Sequence, residues 1–94
     1  MLGQTYTETG MLLKNEELQL VHIKLAQGES VPAHDHKGQE VFFTPIKGDI
    51  KVTLDGSEVH NLNAGAVLRF AGEHTVAVEA LTECEFFVYL VYRR

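Results

Sequence analysis

Apolar residues in this chain come in short runs, and those runs limit the folds open to it. The run Leu18 to Leu25 alternates and then ends at Gln27-Gly28. A period of two places successive side chains on opposite faces, which predicts half-buried strands rather than helices. Gly, Pro, Asn and Asp separate the runs, and only a weak helical period falls near Met11 to Leu18. The pattern predicts eight strands, at 18–25, 31–36, 40–44, 50–54, 57–60, 67–70, 74–80 and 84–92.

One pair of turn residues gives the clearest local prediction. Asp55-Gly56 lies between two of these runs, and this pair favours a two-residue type I′ turn because both positions need a positive φ. Eight short strands joined by tight turns in 94 residues predict an all-β fold that closes as a barrel or packs as two sheets. We therefore expect a single-domain jelly-roll barrel of short antiparallel strands. It would span residues 1–94, with 1–17 as an N-terminal segment and 18–92 as the barrel core.

The charge distribution and the first residues argue against several classes of partner. The net charge is −5, and the eight Lys and Arg form no basic stripe, so we expect no nucleic-acid binding. The first 25 residues lack a basic start and a long apolar core, which a secretory signal needs. No apolar run approaches the 18 residues of a membrane span. The expected partners are a small molecule and a second copy of the chain.

The size of the chain and its lone cysteine bear on its assembly and location. A domain of 94 residues buries a modest share of its surface, and the strand at 84–92 is apolar on both faces, so we expect a homodimer. Cys84 is the only cysteine and lies in that strand. It can form no intramolecular disulfide, and we expect it to pack in the core of a cytoplasmic protein.

Three potential metal ligands lie within seven positions. His34 and His36 alternate on a predicted strand, so both imidazoles point to one side. A turn at Lys37-Gly38 would bring the Glu40 carboxylate back beside them. His74 is in phase with Val76, Val78 and Ala80 on a later strand, which predicts that it shares the interior face. Buried imidazoles and a carboxylate need compensation, and metal coordination supplies it.

These residues stand in two motifs that resemble those of the cupin superfamily. The first runs Gly28-x5-His34-x-His36-x3-Glu40, and the second runs from Gly65 to His74. The resemblance implies a jelly-roll barrel of six to eight strands with a divalent metal held by His34, His36, Glu40 and His74. One departure is that the glycine expected seven residues after the glutamate is Lys47, and Gly48 follows it. This shift predicts a bulge or an altered turn near 44–46.

The donor set and the resemblance leave the metal and the reaction open. The resemblance favours iron or manganese, and nickel, zinc, cobalt and copper are also compatible with three imidazoles and a carboxylate. Four protein ligands would leave open positions, which catalysis at a metal needs. The resemblance extends to cupin dioxygenases and isomerases, and it makes the chain a candidate for one of these acting on a small molecule. A non-catalytic module that senses a metal or a small molecule is the main alternative. A purely structural metal is a third hypothesis.

Apolar residues in phase with these ligands predict the walls of a small pocket. Phe42 is in phase with Glu40, and the other wall candidates are Val52, Leu54, Phe70, Phe86 and Val88. Walls of this kind favour a mostly hydrophobic ligand over a sugar phosphate. Arg69 can face either way, and the same holds for His22. For His22 and His60 we expect surface or supporting roles.

Overall fold

The structure is a computed structural model that describes residues 2–93. Nine strands are present in this range, and no helix is. No segment in this range is a helix with the length and apolar character needed to cross a membrane. The strands are β1 (Gly10–Lys14), β2 (Leu18–Leu25), β3 (Ser30–His34), β4 (Gln39–Lys47), β5 (Asp49–Leu54), β6 (Glu58–Asn63), β7 (Leu68–Ala71), β8 (Val76–Ala80) and β9 (Cys84–Tyr92).

The strands form two antiparallel sheets. The first has the order β1-β2-β9-β4-β7, and the second has the order β3-β8-β5-β6. Chain neighbours such as β3 and β4 lie in different sheets, so the chain crosses between layers repeatedly, as a jelly roll requires. The all-β, antiparallel prediction is confirmed. Strand β1 was not predicted, and it pairs with β2 at the edge of the five-stranded sheet.

The core lies between the sheets and is built from alternate residues of the central strands. In β9, the residues Cys84, Phe86, Val88 and Leu90 are buried, and the residues between them are only partly buried. Stacking of the Phe43 ring on that of Phe86, with centroids 5.6 Å apart, joins β4 to β9. The other buried apolar residues are Val41, Ile50, Val52, Leu54, Phe70, Val76, Val78 and Ala80.

Two local predictions are confirmed by the backbone. Asp55 and Gly56 have φ values of 52° and 71°, and the Ser57 N–H donates to the Leu54 carbonyl at 3.1 Å. The pairing of β4 with β9 shifts register between Pro45 and Lys47. This irregularity lies where a bulge or an altered turn was expected.

The face assignment of β4 differs from the prediction. Gln39, Val41 and Phe43 are buried, whereas Glu40 and Phe42 are only partly buried. Glu40 and Phe42 were expected to face the pocket, but the alternate residues of the strand face inward instead. A shift of one residue exchanges the two faces of a strand, so this difference changes which side chains reach the interior.

His22 and Cys84 are both supporting residues of the sheet. His22 is 8% exposed, and its ring lies 4.6 Å from that of Phe87. Its Nδ1 lies 2.9 Å from the Glu8 carbonyl and its Nε2 lies 3.0 Å from Glu85 Oε1, so it fastens the N-terminal segment to the sheet. Cys84 is buried as predicted, and burial raises the pKa of its thiol.

Candidate functional site

His34 and His36 lie together where β3 leads into the loop before β4. Their ring centroids are 4.7 Å apart and the rings are nearly perpendicular, at 86°. His34 Nδ1 lies 2.9 Å from the Pro32 carbonyl. A carbonyl only accepts hydrogen bonds, so Nδ1 carries the proton and Nε2 of neutral His34 has a free lone pair. Burial, and then the neighbouring His34, lower the pKa of His36. Near neutral pH the His36 imidazole is therefore uncharged.

The two imidazoles line an interior cavity of about 150 Å³. All the other lining side chains are apolar, and they come from both sheets. They are Val21, Ile23, Val31, Phe43, Val78, Phe86, Val88 and Leu90. A cavity with apolar walls and a few polar groups at one place is typical of a small-molecule site.

The loop that carries His36 is held by main-chain hydrogen bonds to Gly72. The His36 N–H donates to the Gly72 carbonyl at 2.8 Å, and the Gly72 N–H donates to the Gln39 carbonyl at 2.8 Å. A Cβ atom on residue 72 would lie 2.0 Å from the His36 carbonyl oxygen. Because that approach is impossible for a side chain, glycine at position 72 allows the loop to seat His36 beside the cavity.

Glu73 holds the same loop from outside. Its carboxylate accepts a hydrogen bond from the Gly38 N–H at 2.9 Å and a short charge-assisted hydrogen bond from Arg93. The Arg93 N–H also donates to the Gly38 carbonyl at 3.0 Å. The Arg93 hydrogen bond, followed by that of Gly38, lowers the pKa of Glu73 to about 2. The end of β9 is thus tied to the loop between β3 and β4.

Glu40 lies on the other side of its strand from the cavity. Its Oε1 lies 3.4 Å from Arg69 Nε, and Arg69 also lies 5.9 Å from the centre of the Phe42 ring. Arg69 therefore faces outward. In this arrangement the Glu40 carboxylate is paired with a cation on the outer face of the five-stranded sheet.

His74 also lies apart from the cavity. Strand β8 begins at Val76, so the alternation that was expected to turn His74 inward starts two residues later, and the His74 side chain is 53% exposed. Its Nδ1 lies 2.7 Å from Asp55 Oδ2, and the hydrogen bond from His74 lowers the pKa of Asp55. His74 lines a separate cleft that also contains Glu58 and His60.

Comparison with known proteins assigns the family. The model of the Cupin domain family matches residues 21–91. An uncharacterised protein of Methanocaldococcus jannaschii is 30% identical over 79 residues, which are 82% of this chain and 67% of that protein. The chain belongs to the cupin family.

Solved structures agree with this assignment and with the predicted fold. A crystal structure of an RmlC-like cupin with a double-stranded β-helix fold, from M. jannaschii, has a TM-score of 0.85 at 25% identity and covers 98% of this chain and 93% of that one. An RmlC-like cupin from Desulfovibrio desulfuricans has a TM-score of 0.81 at 21% identity, with coverages of 97% and 92%. The cupin jelly-roll class is confirmed.

The predicted metal ligands of this cupin fit a metal only in part. His34 and His36 fit, because their two imidazoles lie side by side and His34 is oriented by a carbonyl in the way that metal-binding histidines usually are. Glu40 and His74 do not fit, because each is paired elsewhere. Within residues 2–93, no three His, Cys, Asp or Glu side chains are grouped to hold one metal ion. The four-residue set stays a prediction.

One polar residue of this cupin interior was missed from the sequence. Gln39 is 6% exposed, and its Nε2 is buried without a hydrogen-bond partner. The sequence did contain a pattern that identifies Gln39 as buried. The apolar residues Val41 and Phe43 lie at alternate positions after it, on the inward face of β4. The sequence favoured the neighbouring Glu40 because carboxylates are common ligands of divalent metals.

The Glu73 contacts predict a stability effect that depends on pH. The folded-state pKa of about 2 lies below the ordinary value of 4.5, so ionised Glu73 stabilises the fold above pH 4.5 and this contribution disappears as the pH falls toward 2. We expect Glu73→Gln to lower the free energy of unfolding at pH 7 and to have a much smaller effect at pH 2, where about half of Glu73 is protonated in the folded protein. Urea unfolding measures the free energy at both pH values. The exposed Glu16→Gln is the control, and a Glu73→Gln deficit as large at pH 2 as at pH 7 would contradict the assignment.

Proposed function

We propose that this cupin binds a small, largely apolar molecule in the interior cavity beside His34 and His36. The observation that carries the proposal is the placement of two adjacent imidazoles in an otherwise apolar wall. A cavity of about 150 Å³ accommodates a molecule on the scale of benzene. The apolar side chains would bind the body of the ligand, and the histidines would contact its polar group. An imidazole can donate a hydrogen bond to such a group or, when neutral, accept one from it.

A metal is a second part of this proposal. His34 and His36 would hold a divalent transition metal, with iron or manganese favoured and nickel, zinc, cobalt or copper compatible. When bound, such an ion supplies Lewis-acid polarisation of an oxygen atom on a ligand. The His34 contact to Pro32 keeps one imidazole lone pair available for it. Oxygenase or isomerase activity, and the alternative of a sensing module, stay predictions.

The outer face of the five-stranded sheet supports the proposed homodimer. Leu20 and Phe42 both pair with Tyr89 across the sheet, and Phe87 and Val91 share the Tyr89 face of β9. These five side chains are only partly buried within one chain, and apolar surface that is not covered within a chain is a common site of association. We propose that a second copy covers it.

Filling the cavity tests the binding proposal. We expect Ile23→Phe to reduce the affinity for xenon or benzene at least tenfold, because the larger ring occupies the space that the probe needs. Chemical-shift titration of the valine and isoleucine methyl groups measures this. Val59→Phe is the matched control, since Val59 is 48% exposed on β6. If the wild type shows no shifts of cavity methyls with either probe, the proposal is wrong.

Metal titration of single variants tests the ligand set. We expect His34→Ala and His36→Ala to weaken Zn²⁺ or Mn²⁺ binding by more than the roughly 10- to 100-fold that loss of a supporting partner costs. Glu40→Ala and His74→Ala should retain most of the affinity, because both side chains are paired elsewhere. Calorimetry measures the constants, with His60→Ala as control. Equal losses in all four variants would contradict this expectation and support the set predicted from the sequence.

The dimer is tested by the solution mass. We expect the wild type to elute at twice its 10.5 kDa chain mass, and Tyr89→Glu to elute as a monomer because it places a charge at the centre of the apolar face. Light scattering coupled to size exclusion gives the mass. Lys51→Glu on the other sheet is the control. A wild-type monomer at micromolar concentration would rule out the interface.

A further inference from the structure

His22 is buried on the outer face of the five-stranded sheet. Val21 and Ile23 line the interior cavity, so His22 between them points to the opposite side. Lys24, the next residue of that outer face, is exposed, whereas His22 is 8% exposed. The main chain at Glu8 contacts the ring and contributes to its burial. A polar ring at this depth needs partners within the protein for both of its nitrogens.

The two partners of the His22 ring are both hydrogen-bond acceptors. Nδ1 lies 2.9 Å from the Glu8 carbonyl oxygen, and Nε2 lies 3.0 Å from Glu85 Oε1. A carbonyl and an ionised carboxylate accept hydrogen bonds and donate none, and a neutral imidazole has a single N–H. Both contacts therefore exist together only when His22 carries two ring protons and a positive charge.

The contact between His22 and Glu8 is the anchor of residues 2–9. The ladder between β1 and β2 begins at Gly10, so strand pairing does not hold the residues before it. Within residues 2–93, the hydrogen bond from His22 is the one that joins the 2–9 stretch to another element. A second contact of this stretch, from the Thr7 N–H to the Glu8 carboxylate, is internal to it. The attachment thus depends on one proton.

Loss of a proton from His22 separates its two contacts. The remaining proton can serve one acceptor, and the other ring nitrogen then turns a lone pair toward an oxygen that has no proton to donate. Hydrogen bonds to a charged acceptor are roughly twice as strong as those between neutral groups. The proton therefore stays between His22 and Glu85, and the contact to the Glu8 carbonyl is the one that is lost.

The other titratable groups near His22 do not replace the lost donor. Lys24 is directed to Glu85, with Nζ 3.8 Å from the same Oε1 atom, and β1 adds no titratable group because Gly10 is the residue opposite His22. The titratable side chains around His22 are Glu8 in the 2–9 stretch, Lys24 on β2, and Glu85 and Tyr89 on β9.

We propose that His22 is a pH-sensitive fastener, which holds residues 2–9 on the sheet when it is doubly protonated and releases them when it loses a proton. The attached form binds one proton more than the released form, so attachment is favoured at acidic pH and is lost as the pH rises. Release uncovers His22 beside Leu20 and Tyr89, on the face that we propose a second copy covers. The pH would then set how much of this face is open to a partner.

A nuclear magnetic resonance titration of the wild type from about pH 5 to about pH 9 tests this proposal, because the range brackets the ionisation of imidazoles. We expect protons on both ring nitrogens of His22 at the acidic end. The backbone order parameters of Thr7, Glu8 and Thr9 should fall from about 0.85 to below about 0.6 as the pH rises. The fall should have the same midpoint as the ¹⁵N signals of the His22 ring.

Glu85→Gln distinguishes a fastener from a merely structural histidine. The Gln amide can donate to Nε2 of neutral His22, which leaves the Nδ1 proton on the Glu8 carbonyl. We therefore expect residues 7–9 to stay ordered across the whole pH range in this variant. Glu83→Gln is the matched control, because Glu83 is paired with Lys47 at 2.9 Å, and it should retain the pH dependence of the wild type.

His22→Phe removes both donors and keeps an aromatic ring against Phe87. We expect low order parameters for residues 7–9 at every pH in this variant. His60→Phe is the matched control, because it removes an imidazole that is paired with Glu58 on β6, and it should behave as the wild type does.

Three results would overturn the proposal. The first is a single ring proton on His22 at about pH 5, which would exclude the doubly protonated form. The second is a set of order parameters that stays constant while the His22 signals titrate. The third is a Glu85→Gln variant that loosens with the wild-type midpoint. None of these readouts involves the interior cavity, so the proposed ligand binding stands or fails separately.

Discussion

The two hydrogen bonds between Gly72 and the loop before β4 determine the interior of this cupin. They join His36 and Gln39 to the turn after β7, which fixes where β4 begins and which of its faces turns inward. That phase buries Gln39 and leaves Glu40 outside. Because Gly72 has no room for a Cβ atom, the contact is available to glycine alone. The position of His36 beside the cavity and the burial of Gln39 both follow from this local geometry.

The fold could be predicted from the sequence because each pattern that indicates it lies within a short segment of the chain. Alternation identified eight of the nine strands, Asp55-Gly56 identified a turn, and the displaced Gly48 indicated the irregularity in β4. Strand β1 was missed because its five residues, GMLLK, show no alternation. It becomes a strand by pairing with the next strand, β2, and strand formation that depends on a pairing partner is not visible in the pattern of a short segment by itself.

The site could be predicted only in part, because it depends on which side chains of each strand face the interior. The pair His34 and His36 was predicted together and lies together. The structure turns Glu40 to the outer face of β4, because the phase of this strand is fixed by contacts of the preceding loop that the sequence does not reveal. His74 was assigned to the interior by extending the alternation of β8 backward, but a turn at 72–74 interrupts it and Asp55 binds the imidazole.

The position of β9 also shapes how this domain reaches its folded state. This last strand lies between β2 and β4 in the middle of the five-stranded sheet, and it supplies Phe86, Val88 and Leu90 to the cavity wall. A growing chain on the ribosome has made all eight earlier strands before either neighbour of β9 can be paired with it. Until then β2 and β4 each have an open edge, and apolar side chains from both sheets lack their partner. The domain therefore acquires its core and its cavity in one late step that depends on contacts between distant parts of the chain.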